Sequence, residues 1–417
     1  MDENGSVKQI DRCRISGSRH LVSVLNLGEQ YLTGVFPRDP DAPLTKGPLE
    51  LVWCPDSGLL QLRHSYSLSE MYGENYGYRS GLNKSMVAHL SGKVRGLERR
   101  FPLRASDWVL DIGSNDGTLL SAYTTAGLNR VGMDPTAGKF REHYPDNVRV
   151  VEDFFTADRF LQETGGAKAR LVTSIAMFYD LEDPADFVRG IESILADDGI
   201  WHFEQSYMPS MLRTNAYDTV CHEHLEYYSL AVIHKLLADN GLRIMDVQVN
   251  AVNGGSIAVT ACKASAHVGL DSPVVDWMLR QEENWGLHTP KPFRQFEERV
   301  FKHRSDLRRL VDSLLGAGST ILGYGASTKG NVLLQFCGLG PTEIPAIAEV
   351  NPFKFGAYTP GTRIPIIPEA EAHAMKPDYF LVLPWHFKSA IIEREREYLA
   401  SGGKLIFPLP EIEIVGD

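Results

Sequence analysis

Apolar residues are unevenly spread along this 417-residue chain. From Ser106 onward, short apolar runs alternate with segments whose apolar positions recur every three or four residues. This is the pattern of strands separated by amphipathic helices. WVLDI (108–112) is a first strand that stops at the turn GSNDG. TLLSAYTTAG follows and predicts a helix ending at Gly127. RVGMD (130–134), LVTSIAMF (171–178) and IWHFEQ (200–205) are further strands, the last two separated by a helical stretch at 184–195. Ser229 is placed to cap the helix LAVIHKLLADN, which ends at Gly241. LRIMDVQV and SIAVTAC, separated by the turn-rich NAVNGG, predict a hairpin or two strands joined by a slightly longer loop. Strand–helix alternation implies a parallel sheet with helices on both faces.

The first 100 residues lack this alternation and carry many turn residues (DPDAP, KGP, CPDSG). They predict a small β-rich module leading into a helix near Lys84–Arg100. Residues 277–316 are charged and helical in period, which predicts a linking helix. A second α/β unit begins at Thr320, with TILGYG, a helix at 328–336, IPAIAEV, YFLVLP, a helix at 387–400 and KLIFP. Three domains follow: 1–80, 81–265 and 266–417.

Composition narrows the class. Hydrophobic residues are 43% and charged residues 23%, as in soluble globular proteins. A net charge of −11 argues against nucleic acid and anionic membrane as partners. No apolar run approaches the roughly 20 residues of a membrane-spanning helix. The polar, acidic start MDENGSVKQIDRC does not read as a signal peptide. Five scattered cysteines, an odd number, point to a reducing cytoplasm.

VLDIGSNDGTLL carries the strongest chemical signal. A strand ends in Asp111, and Gly113 and Gly117 allow a tight turn and close approach of a ligand. The ligand would sit beyond the carboxyl ends of the strands, against Asn115 and Asp116 in the turn. Asp134 ends the second strand, where an acid can bind both ribose hydroxyls. Asp153 and Phe154, near the end of the third, are candidates for the adenine amino group and ring. GSNDG does not supply the GxGxxG of an NAD fold. The reading is a class I S-adenosylmethionine methyltransferase, a Rossmann-like α/β fold whose sheet usually ends in an antiparallel hairpin.

The chain resembles the sugar C-methyltransferases of deoxysugar biosynthesis over nearly its whole length. The resemblance is carried by C-x-x-x-G at 13–17 and 54–58, YGYRSGLN (76–83), LDIGSNDG (110–117), HEHLEYYS (222–229) and GYGASTKGN (323–331). It implies an N-terminal zinc-binding module, a central methyltransferase domain and a C-terminal Rossmann-like α/β domain. It also implies methylation of a carbon, commonly C3, of a nucleotide-linked 4-keto-6-deoxy sugar. Carbon methylation beside a ketone needs a general base and a donor to the enolate oxygen. The family's catalytic glutamate–histidine pair matches Glu223 and His224, with His224 as base. The family's tyrosine matches Tyr78, with Tyr76 as a neighbouring candidate. His222 is a supporting residue or a second base, and Glu226, Tyr227 and Tyr228 are packing or substrate-wall residues.

Two positions depart from the family. Cys221 replaces a tyrosine, and MFYDLEDP lacks a histidine, with Tyr179 or Asp180 falling nearby. Tyr179 and Tyr207 are candidate substitutes. Zinc is in question for a similar reason. The knuckles read Cys13-Arg-Ile-Ser16 and Cys54-Pro-Asp-Ser57, each with serine for its second cysteine. Cys13 and Cys54 remain metal candidates, with His20 and His64 outside knuckle spacing; the alternative is a module held by packing. Cys262 and Cys337 are most simply read as buried apolar residues.

In the C-terminal unit, GYGASTKGN follows a strand and opens a helix, so its amides are candidates to cradle a phosphate, with Lys329 adding charge. Ser327, Lys329, Asn331 and His386 are the candidate sugar-nucleotide residues in an interdomain cleft. Glu349, ending the next strand, also allows a dehydrogenase reading, and a structural glycine turn is the plain alternative. The remaining competing functions are oxygen or nitrogen methylation of a small molecule and a silent sugar-nucleotide binding protein.

Overall fold

The computed structural model describes residues 7–67, 71, 79–269 and 271–416. The central sheet has seven strands. Their order is Leu242–Asn250, Ser256–Lys263, Leu195–Ser206, Ala169–Ile175, Trp108–Ile112, Asn129–Met133 and Val148–Val151. Only Ser256–Lys263 runs antiparallel to its neighbours, so the expected closing hairpin is present. The crossover from Trp108–Ile112 outward in both directions puts a switch point above this first strand.

Several elements form where their patterns place them. Lys84–Arg100 is one helix, burying Leu90, Val94 and Leu97 at helical spacing, with Asn83 accepting from the amides of Ser85 and Met86. Such a cap stabilises a helix by about 1 kcal/mol. Ser229 caps Leu230–Asp239 through the Val232 amide. Two helices differ from expectation. TLLSAYTTAG forms only a 3-10 turn, Leu120–Ala122. Glu98, on the preceding helix, accepts from the amides and hydroxyls of Thr124 and Thr125, while Thr118 bonds to Asp116. These side-chain bonds, near and distant in sequence, displace the helical pattern. The linking helix is two, Pro273–Trp285 and Lys291–Gly316, broken at Gly286 in the left-handed region. The first belongs with the central domain: Glu282 accepts from Tyr207 and from the amides of Leu230 and Ala231.

The N-terminal module is β-rich. Its four-stranded sheet has the order Glu226–Tyr227, Leu60–Leu62, Lys46–Trp53, Val22–Tyr31. The first of these strands comes from the central domain, so the module and the loop around residue 224 share one sheet. The C-terminal sheet has five parallel strands, Ile366–Pro368, Ile347–Glu349, Ile321–Tyr324, Tyr379–Val382 and Lys404–Phe407, then antiparallel Glu413–Val415. This is the Rossmann-like order. Among the described residues, no helix is long and apolar enough to cross a membrane.

Candidate active site

The glycine loop sits at the carboxyl end of Trp108–Ile112, with Gly113 and Gly117 both in the left-handed region (φ 69° and 74°). A Cβ on Gly117 would meet the Tyr144 ring at 2.6 Å. A ring of this protein, not a ligand, therefore forbids a side chain there. Asp111 is buried behind the loop, accepting from Thr173 Oγ1 at 2.6 Å; burial pushes its carboxyl up to about 7. Its hydrogen bond ties it to the neighbouring strand, Ala169–Ile175. Asn115 and Asp116 are engaged within the protein as well. Their side chains accept from the amides of Ser80 and Gly81, and so dock that segment on the glycine loop. Asp134 lies at the end of the second strand, as expected. It accepts from the Asn115 amide at 2.9 Å and from the amide and hydroxyl of Thr136, both at 2.6 Å. A carboxylate has about four lone-pair sites, which leaves one for a ribose hydroxyl. Asp153 and Phe154 are exposed beyond the third strand, Phe154 at 47%, so the ring is free to stack. The tight backbone turn, the directed acid and the open aromatic face fit S-adenosylmethionine.

Met208–Thr214 and a 3-10 turn, Tyr217–Thr219, separate the fifth strand of the methyltransferase fold, Leu195–Ser206, from CHEHLEYYS. The second half of the loop is held firmly. The amides of Leu225 and Glu226 donate to the Tyr179 carbonyl, and the Leu62 amide donates to that of Leu225. Tyr228 stacks on Phe178 at 5.2 Å. Glu226, Tyr227 and Tyr228 are fully packed away.

Glu223 and His224 are half-buried and neighbour the C-terminal domain. His224 Nδ1 lies 2.9 Å from the Thr219 carbonyl, and its ring contacts that of Tyr179 at 4.3 Å. A carbonyl only accepts, so Nδ1 carries the proton and Nε2 the free lone pair. Burial and then the charge of Lys329 push His224 down to about 4. Burial raises Glu223, whose Oε2 has no hydrogen-bond partner. Cys221 lies beside Glu223, its thiol pushed up by burial and then by that charge. His222 is not part of this group. It is 0% exposed and packs edge-on against Tyr66 of the N-terminal module at 4.6 Å, which makes it a core histidine. Tyr207 is likewise committed, to Glu282. Tyr76 and Tyr78 lie outside the described residues.

The Lys329 effect has a direct test. In histidine-labelled protein, His224 should remain neutral down to about pH 4, and Lys329→Met should raise its NMR titration midpoint. An unchanged midpoint would show that the ammonium does not act on this imidazole.

The C-terminal domain closes the site. Lys329 donates to the Asn253 carbonyl at 2.7 Å, and its charge reaches His224, His386 and Asp218. Burial lowers His386 to about 3. Ser327 caps the Thr328–Cys337 helix through the Gly330 amide, and Asn331 donates to the Thr33 carbonyl at 2.7 Å. Both are structural ties first. Glu349 accepts from the amides of Ala326, Val350 and Asn351, so a protein acid already occupies this second glycine loop. Sequence reasoning missed Gly34, Asp218 and Trp385. Gly34 abuts Glu223, Asp218 accepts from Trp385 Nε1 at 2.7 Å, and no motif marks any of the three.

The zinc knuckles are folded but their donors do not fit the ion. Cys13 Sγ lies 3.2 Å from Ser57 Oγ, and Cys54 Sγ 3.6 Å from Ser16 Oγ. Two neutral hydroxyls are poor ligands, and here each hydrogen-bonds a thiol. His20 is exposed and faces Asp56; among the described residues neither it nor His64 joins the cysteines in a metal-sized group. Glu369, His373 and Glu395 do approach one another, but Tyr324 bridges both carboxylates and Arg394 pairs with Glu369. Elemental analysis should find purified protein essentially zinc-free. Ser16→Cys/Ser57→Cys should gain about one zinc per chain, by restoring four thiolates. Stoichiometric zinc in the unaltered protein would refute this.

Comparison with known proteins agrees with the architecture. Residues 13–72 match the family described as a putative zinc binding domain, 86–247 a methyltransferase domain, and 251–410 a C-methyltransferase C-terminal domain. The chain is 34% identical over 412 residues to C-methyltransferase NovU of Streptomyces niveus, covering 98% of each chain. Among solved structures, magnesium protoporphyrin IX methyltransferase of Synechocystis with bound SAH is similar at a TM-score of 0.33 and 17% identity, over 44% of this chain and 88% of that one. YcgJ of Bacillus subtilis is similar at 0.31 and 16%, over 42% and 98%. With its seven-stranded sheet, its cofactor loop and a relative matched from end to end, the chain belongs to the S-adenosylmethionine-dependent C-methyltransferases.

Proposed function

We propose that the acceptor is a nucleotide-linked 4-keto-6-deoxy sugar, methylated at a carbon beside the ketone, with C3 the first candidate. One observation carries this reading. Buried polar atoms without a hydrogen-bond partner include Glu223 Oε2 itself, Asn331 Oδ1, whose amide is tied to Thr33 next to the Gly34 that abuts Glu223, and His386 Nδ1, which shares the Lys329 charge with His224. Buried polar groups require hydrogen-bond partners, and a polyhydroxylated acceptor supplies several at once.

When bound, S-adenosylmethionine supplies an electrophilic methyl on a sulfonium sulfur. His224 Nε2 takes the proton from the carbon beside the ketone, breaking that C–H bond and leaving an enolate whose carbon is the nucleophile. Glu223, shifted toward its protonated form by burial, donates to the enolate oxygen or holds a sugar hydroxyl. Tyr76 and Tyr78 precede the segment docked on the cofactor loop and take the positioning role in this reading. Lys329 and His386 supply the wall toward the nucleotide. Net transfer releases one proton, which leaves His224 for solvent.

The test is an assay against dTDP-, GDP- and CDP-linked 4-keto sugars, with products read by mass and NMR. A new C–CH3 group beside the ketone is the expected result. A methyl on oxygen or nitrogen, or binding of both ligands without turnover, would overturn it.

A further inference from the structure

The Tyr217–Thr219 turn immediately precedes Val220 and CHEHLEYYS, yet its side chains lie in the C-terminal domain. Tyr217 is fully buried, edge-on to Phe336 at 5.3 Å and to His303 at 5.5 Å. Its hydroxyl lies 3.1 Å from His303 Nδ1, while His303 Nε2 donates to the Pro408 carbonyl at 2.5 Å. A neutral imidazole that donates from Nε2 accepts at Nδ1, so the Tyr217 hydroxyl is the donor.

Asp218, next in the chain, is 1% exposed and accepts from the indole N–H of Trp385 at 2.7 Å. A buried indole needs an acceptor, but a backbone carbonyl or an amide would satisfy it. A carboxylate is the costlier choice, because burying a charge costs far more than burying a neutral acceptor. The nearby Lys329 ammonium offsets part of that cost. This acid, which burial shifts toward its protonated form, sits beside Thr219, whose carbonyl accepts from His224 Nδ1–H.

The turn therefore has one end gripped by the C-terminal domain and the other holding the imidazole. We propose that Trp385 and Asp218 are positioning residues: through the Tyr217–Thr219 turn they aim the Thr219 carbonyl so that His224 stays in its Nδ1–H tautomer with Nε2 open to the acceptor. The proposal rests on the reading of His224 as base. It gives the C-terminal domain a part in proton abstraction beyond forming a wall of the acceptor site.

The experiment uses full-length, 15N-histidine-labelled protein and long-range 1H–15N spectra. His224 is identified among the 13 histidines by the signal missing from His224→Asn. The unaltered protein should show His224 as a single Nδ1–H tautomer. Trp385→Phe keeps an aromatic ring and removes the donor. It should mix the tautomers and lower kcat on the order of tenfold to a hundredfold, with KM and S-adenosylmethionine affinity within about twofold. Asp218→Asn, which keeps an acceptor oxygen for the indole, should retain more activity than Asp218→Ala. A wild-type tautomer in Trp385→Phe overturns the proposal, whether activity is kept or is lost together with thermal stability. If His224→Asn keeps full activity, the base assignment fails instead, and the spectra still decide whether Trp385 controls the tautomer.

Discussion

His224→Asn is expected to lower methyl transfer by roughly 10²- to 10⁴-fold, the usual contribution of a positioned general base. The asparagine amide can still donate to the Thr219 carbonyl, so the loop keeps its tie while the Nε2 lone pair is removed. Calorimetric binding of S-adenosylmethionine should not change, because the glycine loop and Asp134 are held by Ser80, Gly81, Tyr144 and Thr136 rather than by His224. Deuterium exchange from solvent at the carbon beside the ketone should be lost in parallel. Full activity in the variant would place the base elsewhere, and Tyr179, whose ring contacts His224, would be examined next.

The second large effect is expected at a residue with no side chain. A Cβ on Gly34 would fall within the contact radius of Glu223 Oε1, with Thr328 Oγ1 3.7 Å away. Gly34 is not among the residues with positive φ, so alanine there brings no backbone strain and acts through the collision alone. Gly34→Ala should push the Glu223 carboxylate aside and lower kcat by about 10²-fold, the scale associated with a misplacement of about 1 Å. Thermal stability and cofactor affinity should change little. Turnover equal to the unaltered protein would show that the position of Glu223 is not critical. A fall in turnover would show that the N-terminal module, through Gly34, shapes the site independently of any metal.

Much of the central domain was legible in the sequence because its signals are local. Apolar runs that end in glycine turns, the caps Asn83 and Ser229, and the glycine loop depend on spacings of a few residues. The helix expected after the glycine loop failed for the opposite reason. Glu98, 26 residues upstream, captures the amides of Thr124 and Thr125. Similarly, His222 and His224 are two letters apart and read alike, yet one is sealed against Tyr66 and the other faces the site.

By itself, the sequence determined the order of the central strands and the glycine loop, since each is written in neighbouring residues, and a family resemblance singled out Glu223 and His224. Only the tertiary structure decided which side chains act together. Asn331 reaches Thr33 across 298 residues, and Trp385 reaches Asp218 across 167. Periodicity reports which face of an element is apolar, but not which distant backbone carbonyl or carboxylate that face will meet.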